Sequence, residues 1–106
     1  MTAMLSALLA ELRRRLKELY GPRLIQLVLF GSRARGDDEP GSDIDVLVVL
    51  CGTVSPAREI ERTGGIIAEL SLAHDEVISL VFTADDRFAR RTGPLLRNIE
   101  REGIAL

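Results

Sequence analysis

This 106-residue chain has one cysteine, one histidine, one lysine and no apolar run near membrane-spanning length. Cys51 alone excludes an internal disulfide and fits a reducing compartment. It ends an apolar strand pattern and is expected to be packed there. A spanning helix needs about 20 consecutive apolar residues, and no stretch approaches that. The N-terminal segment places its arginines after its leucines, the reverse of a secretory signal. The cytoplasm is the expected location, with no membrane partner. A large excess of one charge is also lacking: 14 basic residues against 16 acidic ones leave a net charge of −2. That excludes a generic nucleic-acid-coating protein, so no direct nucleic-acid binding is expected. Lys17 is the only lysine, and the arginine excess reads as composition bias. His74, the only histidine, reads as a loop or sheet-edge residue rather than a general base.

The rest of the composition is that of a globular domain. Hydrophobic residues make up 46% and charged residues 28%. The length suits one small domain over residues 1–106, able to bury roughly two thirds of its unfolded surface without staples. So small a chain has little room for an acceptor site of its own, which is expected on another molecule.

The order of elements follows from hydrophobic periodicity. Leu5, Leu8, Leu9, Leu12, Leu16 and Leu19 form the stripe of an amphipathic helix that Gly21-Pro22 ends. Residues 24–30 (LIQLVLF) read as a buried strand stopped by Gly31. Ser32 to Arg35 allow one helical turn in a turn-rich segment, residues 31–42, whose Asp37, Asp38 and Glu39 read as a solvated acidic loop. Asp43–Leu50 (DIDVLVVL) is a second strand, apolar enough to be covered on most of both faces. Ser55-Pro56 opens a helix with Ser as N-cap, and its buried face is expected to carry Ile60, Ile67 and Leu70. Gly64-Gly65 within it suggest close packing on the sheet. Val77–Phe82 is a third strand. Thr83 and Asp86 resemble a capping box, Asp85 and Asp86 read as helix-start residues, and Pro94–Glu102 forms a last helix capped by Gly103. The expected fold is α+β, a small mixed sheet with helices packed on it, in the order α-β-β-α-β-α-α.

Chemistry concentrates between residues 27 and 50. Asp43 and Asp45 are one residue apart at a strand start, so both carboxylates point to one face and Ile44 to the other. Two carboxylates so placed repel each other and call for a cation, for which Mg²⁺ with substrate phosphate is the natural choice. Gly31-Ser32 directly after a buried strand offers a sharp turn, backbone amides and a hydroxyl to a phosphate. Arg33 and Arg35 supply charge nearby.

The pattern Gly31-Ser32, ten residues, then Asp43-x-Asp45, with Arg33-Ala34-Arg35-Gly36 inside it, resembles the minimal nucleotidyltransferases of the polymerase-beta superfamily. The antitoxin partners of the small helical HEPN toxins belong to this group. The resemblance implies a nucleotidyltransferase fold. It also implies a two-metal Mg²⁺ site ligated by Asp43 and Asp45, and a nucleoside triphosphate, ATP by expectation, held by Gly31, Ser32, Arg33, Arg35 and Ser42. The product would be a nucleoside monophosphate on an acceptor hydroxyl, which in the antitoxin relatives is a tyrosine of the toxin. A HEPN-type partner protein is therefore expected, and a homo- or hetero-oligomer is compatible with it.

The superfamily usually adds a third acid on the next strand, and Val77–Phe82 contains none. Ser79 is the polar residue expected in its place, a poor metal ligand. Asp75 and Glu76, just before the strand, are the acids that could curl toward the site. The leading expectation is an Mg²⁺-dependent transferase of AMP to a partner protein. The alternative is a catalytically weakened nucleotide-binding module that neutralises its partner by contact.

Overall fold

A computed structural model describes residues 2–36 and 41–106 of the chain; Asp37, Asp38 and Glu39, read above as an acidic loop, lie outside the described residues. The leucine stripe forms helix α1 (Ala3–Tyr20), started by Thr2, whose hydroxyl accepts from the Leu5 amide at 3.1 Å. Leu5, Leu8, Leu9, Leu12 and Leu16 are buried as expected, but Leu19 is half out in solvent and Tyr20 takes the sixth core position. A 3₁₀ turn over Gly21–Arg23 leads into β1 (Leu24–Phe30). The single turn α2 (Ser32–Arg35) follows, then β2 (Ile44–Leu50), α3 (Pro56–His74) and β3 (Ile78–Ala84). The chain ends with α4 (Asp85–Arg90), α5 (Pro94–Glu102) and a short β4 (Ile104–Ala105).

The expected α+β class holds, and the expected order gains one strand. β4 is absent from the expected order because two residues carry no periodicity; it pairs antiparallel with β1 through Val28–Ala105 and Leu29–Ile104. The sheet order is β3-β2-β1-β4, with β1 and β2 antiparallel and β2 and β3 parallel. A parallel pair needs a crossover connection, and α3 supplies it.

Strand alternation divides the core in two. Leu27, Leu29, Ile44, Val46, Val48, Leu50, Ile78 and Phe82 face α1 and α3. Val28, Leu47, Val49 and Val81 face Leu96 and Ile99 of α5 and Phe88 of α4. β2 is thus covered on both sides, as its near-continuous apolar run requires.

Four local expectations are corrected. In α3 the buried face carries Glu59, Thr63 and Leu70, and Ile60 is 58% exposed. Gly64 and Gly65 are not sites of close packing, since a Cβ on either would meet nothing within 4 Å. Thr83 is a buried strand residue rather than a cap, and α4 starts without a side-chain cap bond. Cys51 is exposed, because the strand ends one residue before it. Among the described residues no helix is long and apolar enough to cross a membrane.

Candidate nucleotide and metal site

The register of the sheet assembles the site. Phe30 at the end of β1 lies opposite Asp45 near the start of β2, and Asp45 lies beside Ser79 of β3. Residues paired across strands share a face, so Asp45 and Ser79 point to the side occupied by α5, away from α1 and α3. Asp43 stands one residue ahead of β2 and is exposed, whereas Asp45 is half-buried. Burial, reinforced by the negative charge of Asp43, holds the Asp45 carboxyl above the usual carboxylate range. The charge of Asp43 is thus felt at Asp45.

Gly31 closes the turn against them. Its φ of +76° with ψ −159° lies in a region nearly reserved for glycine. A Cβ built there would come within 2.6 Å of Asp45 Oδ2. The Asp45 carboxylate can lie this close to the turn because residue 31 has no side chain. Ser32 then heads α2, where the Ala34 and Arg35 amides donate back to the Gly31 carbonyl at 3.1 and 3.2 Å.

The remaining site residues are placed as follows. The Arg33 guanidinium donates from Nε to Ser42 Oγ at 3.1 Å, and from Nη2 to the Ser42 carbonyl at 2.9 Å and to Glu76 at 2.8 Å. Arg35 pairs with Glu102 of α5 at 3.1 Å, an exposed pair, and borders a cleft of ≈ 180 Å³ with Phe30, Gly31, Asn98 and Ile99. Glu76 points to Arg33, and Asp75 caps α3 in a left-handed conformation. Ser79 is the β3 residue in register with Asp45. Among the described residues, no three His, Cys, Asp or Glu side chains come together in a metal-holding group. His74 ends α3, its Nε2 3.4 Å from Glu11.

A half-buried carboxylate that feels the charge of a second one two residues away, packed against a glycine turn, fits a divalent cation of oxygen preference. Backbone amides and a serine hydroxyl one residue away fit phosphate oxygens.

A family model for a nucleotidyltransferase domain matches residues 9–106. The chain belongs to the nucleotidyltransferase family. It is similar to a Methanocaldococcus jannaschii protein named "Putative protein adenylyltransferase MJ0604", 33% identical over 92 residues, which cover 86% of this chain and 86% of that protein. In fold it resembles a chain of a solved toxin–antitoxin structure with AMP-PNP. The TM-score is 0.64 at 23% identity, covering 91% of this chain and 69% of that one. It also resembles a chain of the tri-AMPylated Shewanella oneidensis HEPN toxin in complex with its MNT antitoxin. There the TM-score is 0.53 at 22% identity, covering 92% of this chain and 70% of that one. The nucleotidyltransferase family suggested by Gly31-Ser32 and Asp43-x-Asp45 is thus the family of the chain.

One charged cluster has no counterpart among the sequence expectations. Glu59, 2% exposed, accepts from Tyr20 Oη at 2.8 Å, Arg62 Nη1 at 3.2 Å and Arg23 Nη1 at 3.4 Å. Arg23 also donates to the carbonyls of Cys51 and Thr53. This network ties α1, α3 and the far end of the β1–β2 pair, remote from Asp45. Its only signal in the sequence is Glu59 four residues before Thr63 and eleven before Leu70, a helical stripe hidden by its polar members.

Proposed function

We infer that this nucleotidyltransferase moves a nucleoside monophosphate, AMP from ATP, to a hydroxyl of a partner protein, as the antitoxin of a HEPN-type toxin. The observation that carries the reading is the meeting of Gly31 and Asp45, which sets the glycine turn before Ser32 against a half-buried carboxylate. The M. jannaschii relative's name and the HEPN complex among the structural neighbours support the acceptor class.

In this reading Asp43 and Asp45 would hold Mg²⁺, and Gly31 and Ser32 the triphosphate. The ion would supply charge neutralisation at the phosphates and a lowered pKa for the attacking hydroxyl. The chain orients the α-phosphorus toward the face shared by Asp45 and Ser79. The acceptor oxygen forms a bond to that phosphorus, the bond to the β-phosphate oxygen breaks, pyrophosphate leaves, and the hydroxyl proton passes to solvent.

The test is mass spectrometry of a co-purified HEPN-type partner after incubation with ATP and Mg²⁺. A gain of one or more AMP units, absent with Asp43→Asn, is expected; an unchanged partner mass counts against transfer. A second reading, a nucleotide-binding module that neutralises its partner by contact, is favoured by Ser79 in register with Asp45 and by Glu76 being engaged with Arg33. It predicts a tight complex and no mass gain.

A further inference from the structure

The proposed site is carried by three segments far apart in the chain: the Gly31–Ser32 turn, the Ser42–Asp45 entry to β2, and the Glu76–Ser79 entry to β3. One side chain touches all three. Arg33 follows Ser32, and its guanidinium gives three N–H bonds to Ser42 and Glu76. Alongside it, the Ile44 amide donates to the Val77 carbonyl at 2.8 Å. The Arg33 side chain is 10% exposed and that of Glu76 29%, so the pair is partly desolvated and stronger than a surface ion pair.

The side of the sheet matters as much as the bonds. Arg33 and Glu76 border a cavity of ≈ 180 Å³ with Leu5, Leu8, Ile44 and His74, beneath α1. Ile44 faces α1 and α3, and Asp45 the opposite side. The Arg33 guanidinium is therefore turned to the face away from the Asp45 carboxylate.

We propose that Arg33 is a positioning residue for the nucleotide site, with Glu76 as its anchor, and not a ligand to phosphate. The proposal rests on reading Gly31–Asp45 as that site. β2 begins only at Ile44, so Asp43 and the residues before it lie outside the strand ladder. The guanidinium fork holds this entry by gripping Ser42, the residue before Asp43, through both its hydroxyl and its carbonyl. Glu76 keeps the fork on the α1 side and links the same grip to β3, where Ser79 stands beside Asp45. A lysine could not reproduce the grip, because an ammonium is a point charge without a planar fork.

The two roles make opposite predictions for Glu76. If Arg33 were a phosphate ligand, freeing it from Glu76 would leave nucleotide affinity unchanged or raise it. If Arg33 positions the site, Glu76→Ala lowers affinity as Arg33→Ala does, and the double variant is no worse than either. Titration calorimetry of the full chain with Mg²⁺ and AMP-PNP measures this. Each single variant is expected to lose about tenfold in affinity, and Glu76→Gln, which can still accept a hydrogen bond, to recover most of it. Urea midpoints measured in parallel separate positioning from folding, since the affinity loss should persist at concentrations where every variant is fully folded. Wild-type or tighter binding by Glu76→Ala, or additive losses in the double variant, overturns the clamp alone. No AMP-PNP binding by the wild-type chain overturns the nucleotide-site reading and the clamp with it.

Discussion

Gly31→Ala tests the site at its tightest point. Two costs are expected. The backbone cost comes from φ +76°, ψ −159°, a conformation that a residue with a Cβ adopts at about 1–3 kcal/mol. The second cost is steric. The new methyl would lie 2.6 Å from Asp45 Oδ2, so the carboxylate must leave its rotamer, for about 0.5–1.5 kcal/mol. Together these give about 1.5–4.5 kcal/mol, which for a chain of this length lowers Tm by more than about 6 °C. Gly36→Ala is the control. Gly36 also has a positive φ, +77°, but a Cβ there meets nothing within 4 Å, so only a left-handed cost of about 1–2 kcal/mol applies. Thermal unfolding and AMP-PNP calorimetry with Mg²⁺ on both variants give the comparison. Gly31→Ala should lose both stability and nucleotide binding, whereas Gly36→Ala should lose some stability and keep binding. In an Asp45→Ala background the steric share disappears, because the nearest remaining atom of residue 45 would be at ordinary contact distance, 3.6 Å. The reasoning fails if Gly31→Ala is no less stable than Gly36→Ala, or if it binds the analogue as the wild type does.

Other expectations concern charge and packing. The Asp45 carboxyl is raised above its unfolded value, so its favourable share of stability is present below about pH 4 and lost as pH rises through the folded value. Asp45→Asn should therefore be at least as stable as wild type at pH 7 in urea titrations without metal, and gain nothing at pH 3; a less stable variant at pH 7 contradicts this. The Tyr20 hydroxyl is raised by burial, and further by its bond to Glu59 and that residue's charge. The folded state thus holds a proton that the unfolded chain releases above about pH 10, and stability should fall there. Tyr20→Phe should flatten that alkaline decline and cost about 1–2 kcal/mol at neutral pH, both readable from urea midpoints against pH. At Gly103 a Cβ would stand 2.5 Å from the Ile99 carbonyl oxygen and from a Val28 methyl. Gly103→Ala should cost about 1–3 kcal/mol and speed hydrogen exchange at the Leu106 amide, which bonds the Leu27 carbonyl; wild-type protection there would show that the end strand tolerates the methyl.

Long periodic segments and the short motif are legible in the residues alone. The stripe from Leu5 to Leu16 can only be one face of a helix, and the run from Val46 to Leu50 can only be covered on both sides. The expectation that Asp43 and Asp45 share a side comes from strand alternation, and the strand itself starts at Ile44, between them. Sequence and structure part where a polar residue occupies a core position or a short element has no period. Glu59 and Thr63 hide the buried face of α3, so periodicity points Ile60 inward, and β4, two residues long, leaves no trace. Gly103 caps α5 as the sequence suggests, its amide donating to the Ile99 carbonyl, but its φ of −73° shows that contact with Ile99 and Val28, not backbone freedom, requires glycine there.

By itself the sequence determined the order of the long elements, the family motif and the candidate ligands Asp43 and Asp45, because these depend on local periodicity and spacing. Only the tertiary structure decided who meets whom. Antiparallel pairing of β1 with β2 carries Gly31 to Asp45, and parallel pairing of β2 with β3 sets Ser79 in register with that same carboxylate. The chain also folds Arg33 onto Glu76, 43 residues away, on the opposite side of the sheet. Such contacts arise from register and from which side of a sheet a helix covers, and no spacing along the chain encodes either.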